Sequence, residues 1–206
     1  MLDNTRMKTI TMLGLDPSLT HTGWAVSEID IVNRRIVKVL EWGTVITAPE
    51  KTKQVRRNSD DLFRARSIVN TINDVIAKHD IRFGASEIPS GAQSARAALS
   101  FGIAVGILAS LKIPLIEVMP SETKLATHGT KTADKEDIVR WVLANTADSP
   151  IEWQTGKKAN DWGIVQPNGE YIVLGVEHQA DAVAVTHAAI KSEQFRQLAG
   201  MMLSLA

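Results

Sequence analysis

Apolar and polar residues follow two different patterns along this chain, first that of strands and then that of helices. Three apolar segments of strand length come first, at Lys8–Asp16, Thr22–Ile29 and Arg35–Ile46, separated by turn-like breaks. Because the connections between them are short, they predict an antiparallel meander. A polar, basic segment at Pro49–Asn58 follows, and apolar residues then recur at helical spacing up to about Lys78.

Beyond this helix, the pattern alternates between strands and helices. Residues 81–88 and 114–118 are typical of strands, and residues 92–111 and 134–144 are typical of helices. A final alanine-rich helix is predicted over residues 177–192, and the tail beyond it could extend that helix. The order predicts an α/β fold with a mixed five-stranded sheet, an antiparallel meander and then parallel strands, with helices on both faces. This order of elements resembles that of ribonuclease H.

The segment from residue 146 to residue 175 interrupts the alternation. It contains Asn168-Gly169 between two apolar runs, which is a strong hairpin signal. We therefore expect an inserted loop and hairpin within one nuclease domain that spans residues 1–206, with residues 1–7 as a flexible tail.

Charge and composition exclude some functions and types of site but do not indicate a particular one. Lys plus Arg and Asp plus Glu both number 23, so bulk charge attracts neither DNA nor an anionic membrane. The chain has no cysteine, which leaves carboxylates and imidazoles as metal ligands. No signal peptide is evident at the start, and the apolar stretch Leu99–Leu111 is too short to cross a bilayer. We expect a cytoplasmic protein without a membrane partner, in a bacterial cell or, for a viral protein, in its host.

Four side chains stand where the predicted fold could bring them together. Asp16 ends the first strand and Glu87 nearly ends the fourth, and the ends of neighbouring central strands lie about 5 Å apart. His178 and Asp181 are three residues apart near the start of the last helix, so they project from one face. Carboxylate oxygens suit a pair of Mg²⁺ or Mn²⁺ ions, which can hydrolyse a phosphodiester. Each residue also has an ordinary interpretation, as a turn former, a surface acid or a first-turn residue.

Three stretches of the chain resemble the acidic motifs of the RuvC family of Holliday junction resolvases. They are LGLDPSLTHTGWAV, ASEIPSGAQSARAALSFGIAVGILAS and HQADAVAVTHAAI. The resemblance implies a homodimer with a ribonuclease H-like fold that uses Mg²⁺ or Mn²⁺, two ions per site, to cut two opposed strands of a four-way junction. It also implies metal-binding catalytic roles for Asp16, Glu87 and Asp181. His178 falls where the family has aspartate or histidine.

Basic residues supply candidate DNA contacts. The stretch PSETKLATHGTKTADKEDIV resembles the family's lysines beside the site, which implies phosphate contacts for Lys124 and Lys135 and a catalytic role for Lys135. Lys131 belongs to the same basic cluster, and Lys157 with Lys158 forms another, bracketed by two tryptophans that could stack on unpaired bases. A solvated surface is the ordinary explanation of any one of these clusters, and the small core of an insertion is the ordinary explanation of the two tryptophans. Family members often carry an aromatic residue near the position of Ser90, so this chain lacks that stacking group or places it elsewhere.

A row of small residues on the second predicted helix bears on assembly. Ala98, Gly102, Gly106 and Ala109 recur at spacings of three and four, which permits close approach of another backbone. Packing on the chain's own sheet is the ordinary explanation. The resemblance implies that this helix instead forms a two-fold dimer, whose symmetry matches that of a junction.

The resulting hypothesis is a metal-dependent endonuclease that resolves Holliday junctions or related branched DNA. In it, Asp16, Glu87 and Asp181 bind two ions, His178 positions or deprotonates the attacking water, and Lys135 steadies the phosphate. Two alternatives stay open: a ribonuclease H-like nuclease that acts on RNA–DNA hybrids or flaps, and a branched-DNA-binding protein without catalysis.

Overall fold

A five-stranded mixed sheet forms the centre of the computed structural model, which describes residues 8–52, 54–89, 91–151, 155–156, 163–165, 171–173 and 177–204. Its strands are β1 (Thr9–Asp16), β2 (His21–Asp30), β3 (Arg35–Ile46), β4 (Gly84–Glu87) and β5 (Leu115–Val118). The strand order is β3-β2-β1-β4-β5. The first three strands pair antiparallel, whereas β4 lies parallel to both β1 and β5. This arrangement confirms the predicted meander followed by parallel strands.

Helices cover both faces of this sheet, as predicted. In the described part of the chain they are α1 (Arg57–Lys78), α2 (Ala95–Ser110), α3 (Pro120–His128), α4 (Lys135–Asn145), α5 (Glu177–Lys191) and α6 (Glu193–Ser204). Leu13 and Leu15 of β1 pack with apolar residues of α1 and α2. Met12, on the opposite face of the same strand, packs with residues of α5 and α6. Successive side chains of β1 therefore enter two separate hydrophobic layers.

Side-chain caps begin α2 and α4, as they do α6, where the sequence places suitable residues. The hydroxyl of Ser94 accepts a hydrogen bond from the backbone N–H of Ala97 at 3.1 Å, which begins α2. At the start of α4, Asp134 accepts from the backbone N–H of Asp137 at 2.9 Å, and Asp137 accepts from the backbone N–H of Asp134 at 3.0 Å. These bonds satisfy backbone donors that a helix start leaves free.

The pattern of apolar residues missed α3. This helix begins at Pro120 and ends before Gly129, whose φ of +73° suits a glycine at a helix end. Its buried residues are Thr123 and Thr127 rather than large apolar side chains, so it lacks a clear hydrophobic period.

The expectation that the C-terminal tail extends the last predicted helix is wrong. Helix α5 ends at Lys191, and the hydroxyl of Ser192 accepts from the backbone N–H of Phe195 at 3.1 Å, which starts a separate helix, α6. Phe195 is fully buried, with its ring centroid 6.3 Å from that of Phe83. The tail therefore forms a helix of its own, which packs Phe195 and Ala199 into the core.

Short strands occur inside the segment predicted as an insertion. Strands β6 (Thr155–Gly156), β7 (Gly163–Val165) and β8 (Tyr171–Val173) form a small antiparallel sheet in the order β6-β8-β7. The antiparallel pairing of β7 with β8 agrees with the predicted hairpin. Its Asn168-Gly169 turn lies outside the described residues, as do residues 1–7. Among the helices that the structure describes, none has the length and apolar character needed to cross a membrane.

Candidate active site

Asp16 and Glu87 lie at the ends of two adjacent parallel strands and face the same side of the sheet. Gly14 of β1 pairs with Ala85 of β4, and the next residues in the two strands, Leu15 and Ser86, also pair. Ala85 belongs to the core layer that includes α5, and side chains alternate along a strand. Asp16 and Glu87, two residues beyond Gly14 and Ala85, therefore both face the side of α5.

Two glycines let α5 sit directly on β1 and β2. A Cβ added to Gly14 would lie 2.1 Å from the carbonyl oxygen of Ala182, and one added to Gly23 would lie 1.9 Å from the carbonyl oxygen of His178. Contacts this short cannot exist, so only glycine fits at these positions while the helix stays in place. Since Gly23 pairs with Asp16 in the sheet, this close approach sets the start of α5 beside the end of β1.

The start of α5 brings two side chains to Asp16. His178 Nδ1 lies 2.9 Å from Asp16 Oδ2. One ligand atom from each of Asp16, His178 and Asp181 lies within 4.8 Å of the other two, a spacing that a metal ion can bridge. His178 also stacks on His21, the first residue of β2, with ring centroids 5.3 Å apart and planes inclined by 11°. The predicted convergence of Asp16, His178 and Asp181 is therefore present in the fold.

Glu87 and Asp181 line the same cleft, of about 210 Å³. Glu87 lies outside the tight group formed by Asp16, His178 and Asp181. Its carboxylate accepts a hydrogen bond from the hydroxyl of Thr123 on α3 at 2.6 Å. Helix α3, which the apolar pattern missed, thus orients one of the four predicted side chains.

Burial and mutual repulsion dominate the electrostatics of the acids in the cluster, although His178 and Lys135 partly offset them at Asp181. Burial and the negative charges of Asp16 and Glu87 raise the pKa of Asp181 to about 7. Burial also raises the pKa of Glu87, as does the charge of Asp16, while the hydrogen bond from Thr123 opposes the shift. The hydrogen bond to Asp16 raises the pKa of His178. A divalent cation between these groups would relieve the repulsion and favour the ionised acids.

Two of the predicted lysines lie at the cleft. Lys124 on α3 and Lys135 at the start of α4 line it together with Glu87 and Asp181. Lys135 Nζ donates a hydrogen bond to Glu177 Oε1 at 3.1 Å. Lys131, another predicted DNA-contact residue, is exposed between α3 and α4 and is not among the residues that line the cleft. Lys157 and Lys158 lie outside the described residues.

The turn that follows Asp16 is held by a buried arginine. Arg64 of α1 donates hydrogen bonds to the carbonyl oxygen of Leu19 at 3.0 Å and to the hydroxyl of Thr47 at 2.9 Å. Arg64 also pairs with Asp61, which accepts two hydrogen bonds from Arg96 of α2, at 2.6 and 2.7 Å. Because these donors and acceptors are largely buried, this network ties the turn to both helices of that face.

Sequence reasoning left three residues of this neighbourhood without a role. His21 gave no signal, because a lone histidine in a predicted turn is usually structural or solvated. Glu177 is next to His178, but an acid in a first helical turn is common and carried no specific information. Thr123 belongs to α3, whose Pro120 and Gly129 are the helix-boundary signals that could have revealed it.

The other histidine without an assigned role, His187, is partly buried, and its ring centroid lies 4.5 Å from that of Trp141.

Known proteins are similar to this chain in both sequence and fold. A model of the family Crossover junction endodeoxyribonuclease RuvC matches residues 12–150. RuvC of Prochlorococcus marinus is 26% identical over 137 residues, which cover 65% of this chain and 82% of that protein. RuvC of Endomicrobium trichonymphae is 31% identical over 136 residues, with coverages of 64% and 66%.

Two solved structures have a similar fold. Thermus thermophilus RuvC in complex with a Holliday junction substrate superposes with a TM-score of 0.60 at 20% identity, covering 87% of this chain and 92% of that chain. The yeast mitochondrial Holliday junction resolvase gives a TM-score of 0.57 at 12% identity, covering 93% of this chain and 83% of that chain.

The fold and these similarities place the chain in a defined class. Its mixed sheet, with helices on both faces and acids at the ends of two central strands, is the ribonuclease H-like architecture. Within this class, the chain belongs to the RuvC family of crossover junction endodeoxyribonucleases, whose family model matches well over half of its length. The match ends before α5, so the positions of His178 and Asp181 rest on the geometry described above.

Proposed function

We propose that this protein is a Holliday junction resolvase, a metal-dependent endonuclease that cuts four-way or related branched DNA by paired phosphodiester hydrolysis. The observation that carries the proposal is the convergence of Asp16, His178 and Asp181, with Glu87 on the same cleft, in a chain of the RuvC family. The Thermus thermophilus relative with the same fold was solved with a Holliday junction substrate. We extend that substrate class to this chain.

The donor set fits hard divalent cations. Three carboxylates and one imidazole offer oxygen and nitrogen ligands. Burial and the charges of Asp16 and Glu87 raise the pKa of Asp181, and a divalent cation among these acids would favour their ionised forms. Asp16, Glu87, His178 and Asp181 would hold two Mg²⁺ ions, and Mn²⁺ should also support activity. When bound, such ions supply Lewis acidity that activates water and stabilises the leaving oxygen.

Side chains of the protein orient the reacting groups and bind the DNA phosphates. Asp16 fixes the ring of His178 through the 2.9 Å contact, and His178 positions or deprotonates the attacking water. Lys124 and Lys135 neutralise the phosphate at the rim of the cleft, and Lys131, Lys157 and Lys158 extend the basic surface to the DNA arms. Each phosphate contact should steepen the salt dependence of binding, by a slope of about −0.9 per contact on duplex DNA.

The decisive experiment compares Asp16→Asn with the wild type on labelled four-way, three-way and linear duplex DNA, with and without Mg²⁺. Wild type should make paired cuts in the four-way junction only with the metal, and Asp16→Asn should bind the junction without cutting it. Asp74→Asn, which changes an exposed aspartate on α1, is the matched control and should cut normally. Full cleavage by Asp16→Asn would refute the site.

The same assay separates the alternatives. Preferential cutting of RNA–DNA hybrids or flaps would favour a ribonuclease H-like nuclease. Junction binding by the wild type without cleavage in either Mg²⁺ or Mn²⁺ would favour a binding protein.

The proposal also includes one nuclease domain over residues 1–206, with residues 146–175 as an insertion, and a cytoplasmic location.

A homodimer is also part of the proposal. Helices α1 and α2 border an open groove of about 590 Å³ whose lining is mostly apolar and includes Leu62 and Leu99, about half exposed. A second copy related by a two-fold axis would cover this face and would present two sites to two opposed strands. Light scattering after size exclusion should give twice the chain mass of 22.5 kDa. A monomeric mass at micromolar concentration would contradict the dimer.

A further inference from the structure

Glu177 is an acid of the candidate site for which neither the motifs nor the proposed ligand set gives a role. It is the first residue of α5 and precedes His178 directly. Only 8% of its surface is exposed, whereas acids in a first helical turn are usually solvated. A buried carboxylate requires compensating partners, so its contacts indicate what it does.

One oxygen of Glu177 contacts two of the proposed functional groups. Oε1 accepts a hydrogen bond from Lys135 Nζ at 3.1 Å and lies 4.0 Å from His178 Nε2. The other ring nitrogen of His178 is the one that contacts Asp16. The imidazole therefore lies between two carboxylates, with one face against the ring of His21. At 4.0 Å the contact of Glu177 with His178 is that of an ion pair rather than a hydrogen bond. A carboxylate beside the outer ring nitrogen commonly sets the orientation of a metal-binding histidine.

The second oxygen of Glu177 differs from the first in its contacts. Oε2 is buried and has no hydrogen-bond partner among the described residues. A carboxylate whose only task is to stabilise a fold normally has both oxygens satisfied, and a role in catalysis is one explanation for an exception. Glu177 also links the starts of α4 and α5 directly, since its partner Lys135 is the first residue of α4.

We propose that Glu177 is a positioning residue, whose carboxylate holds the Lys135 ammonium at the cleft and orients the His178 ring toward Asp16. Glu177 is outside the proposed ligand set and acts through its two neighbours. Removing outer-shell partners of this kind typically lowers activity or metal affinity by about 10 to 100-fold. This inference rests on the proposed function for its kinetic consequence, but the placement of the His178 ring can be tested separately.

The primary variant is Glu177→Gln, which keeps the side-chain size and removes the charge. Its kcat for junction cleavage should fall by about 10-fold or more, with little change in KM. Lys135→Met should also lower kcat, and the double variant should lose less than the product of the two single losses because the two side chains act as a pair. Glu193→Gln, at the first position of α6 and paired with Arg196, is the matched control and should leave kcat unchanged.

A second readout does not depend on cleavage. In metal-free protein labelled with ¹⁵N-histidine, Glu177→Gln should shift the ring-nitrogen resonances of His178 and leave those of His187, further along α5, in place. Circular dichroism should show that the variant is folded. An unfolded Glu177→Gln protein would assign the residue a structural role and overturn the proposal.

The outcomes separate the two hypotheses. Unchanged His178 resonances, a wild-type kcat in Glu177→Gln, or fully multiplicative effects with Lys135→Met would each overturn the role of Glu177. Absence of any metal-dependent cleavage by the wild type would instead overturn the proposed function. The ring-nitrogen shift would still decide whether Glu177 orients His178.

Discussion

Substituting alanine for Gly23 tests whether the close packing of α5 on the sheet builds the site. The added Cβ would lie 1.9 Å from the carbonyl oxygen of His178 and 2.9 Å from its Cβ. Since nonbonded contacts below 3.0 Å are essentially never observed, the start of α5 must move by about 1 Å or more. Asp16 lies on β1, where it pairs with Gly23 of the neighbouring strand. Movement of α5 therefore carries His178 and Asp181 away from Asp16.

The expected losses follow from that displacement. Misplacing catalytic groups by about 1 Å can lower the rate by about 100-fold. Overpacking of this kind costs about 1 to 3 kcal/mol in the free energy of unfolding. Gly200→Ala is the matched control, because Gly200 lies inside α6 and an added Cβ there meets no atom within 4 Å. This control should keep full activity and gain up to about 1 kcal/mol from helix propensity.

Single-turnover cleavage of a labelled four-way junction gives the rate, and urea unfolding of the same preparations gives the folded fraction. Gly23→Ala should be slow per folded molecule, with weaker Mn²⁺ binding in calorimetry. A wild-type rate per folded molecule would refute the reasoning, because it would mean that the site tolerates displacement of α5. A loss of similar size in Gly200→Ala would show that the assay reports general damage.

Three further predictions concern charge and hydrogen bonding. In metal-free protein, Asp181 keeps its proton between its ordinary pKa of 3.8 and about 7, whereas the unfolded chain releases it, so the free energy of unfolding should fall as pH rises through that window. Urea unfolding of Asp181→Asn across the same range should lack this fall, and an unchanged pH dependence would contradict it. Thr123→Val removes the hydrogen bond that lowers the pKa of Glu87, so the Mg²⁺ concentration for half-maximal cleavage should rise more at pH 6 than at pH 8; an equal rise at both would argue against this cause. Arg64→Met removes donors buried at the turn after Asp16 and should lower the free energy of unfolding by about 3 kcal/mol in urea titrations, against little change for the exposed Arg66→Met. A loss below about 1 kcal/mol would show that the arginine network adds little.

Local sequence patterns were sufficient to predict the strands of the sheet and the positions of the acids at their ends. The alternation of apolar residues in β1 follows from the opposite orientation of successive side chains, which places Met12 and Leu13 in different layers. The extent of the two apolar runs places Asp16 and Glu87 at strand ends, and neighbouring parallel strands bring such ends together. The spacing of His178 and Asp181 on one helical turn was equally visible, because it depends only on the helical repeat.

Elements without a strong hydrophobic period were not predictable in this way. Helix α3 buries Thr123 and Thr127, so its amphipathic signal is weak, although Pro120 and Gly129 mark its two ends. The separation of α6 from α5 depends on Ser192, whose hydroxyl caps a new helix, and on a pocket in the core for Phe195. A serine between two helix-forming segments does not by itself predict that one helix ends there and another begins.

The sequence alone determined which residue types stand at the strand ends and at the start of α5, because local periodicity sets both. Only the tertiary structure decided how these groups meet. The approach of α5 through Gly14 and Gly23, the stacking of His21 on His178 and the burial of Glu177 beside Lys135 all join residues far apart in the chain. Such contacts depend on the packing of whole elements, whose free energy is shared among many side chains and is not encoded in any one stretch.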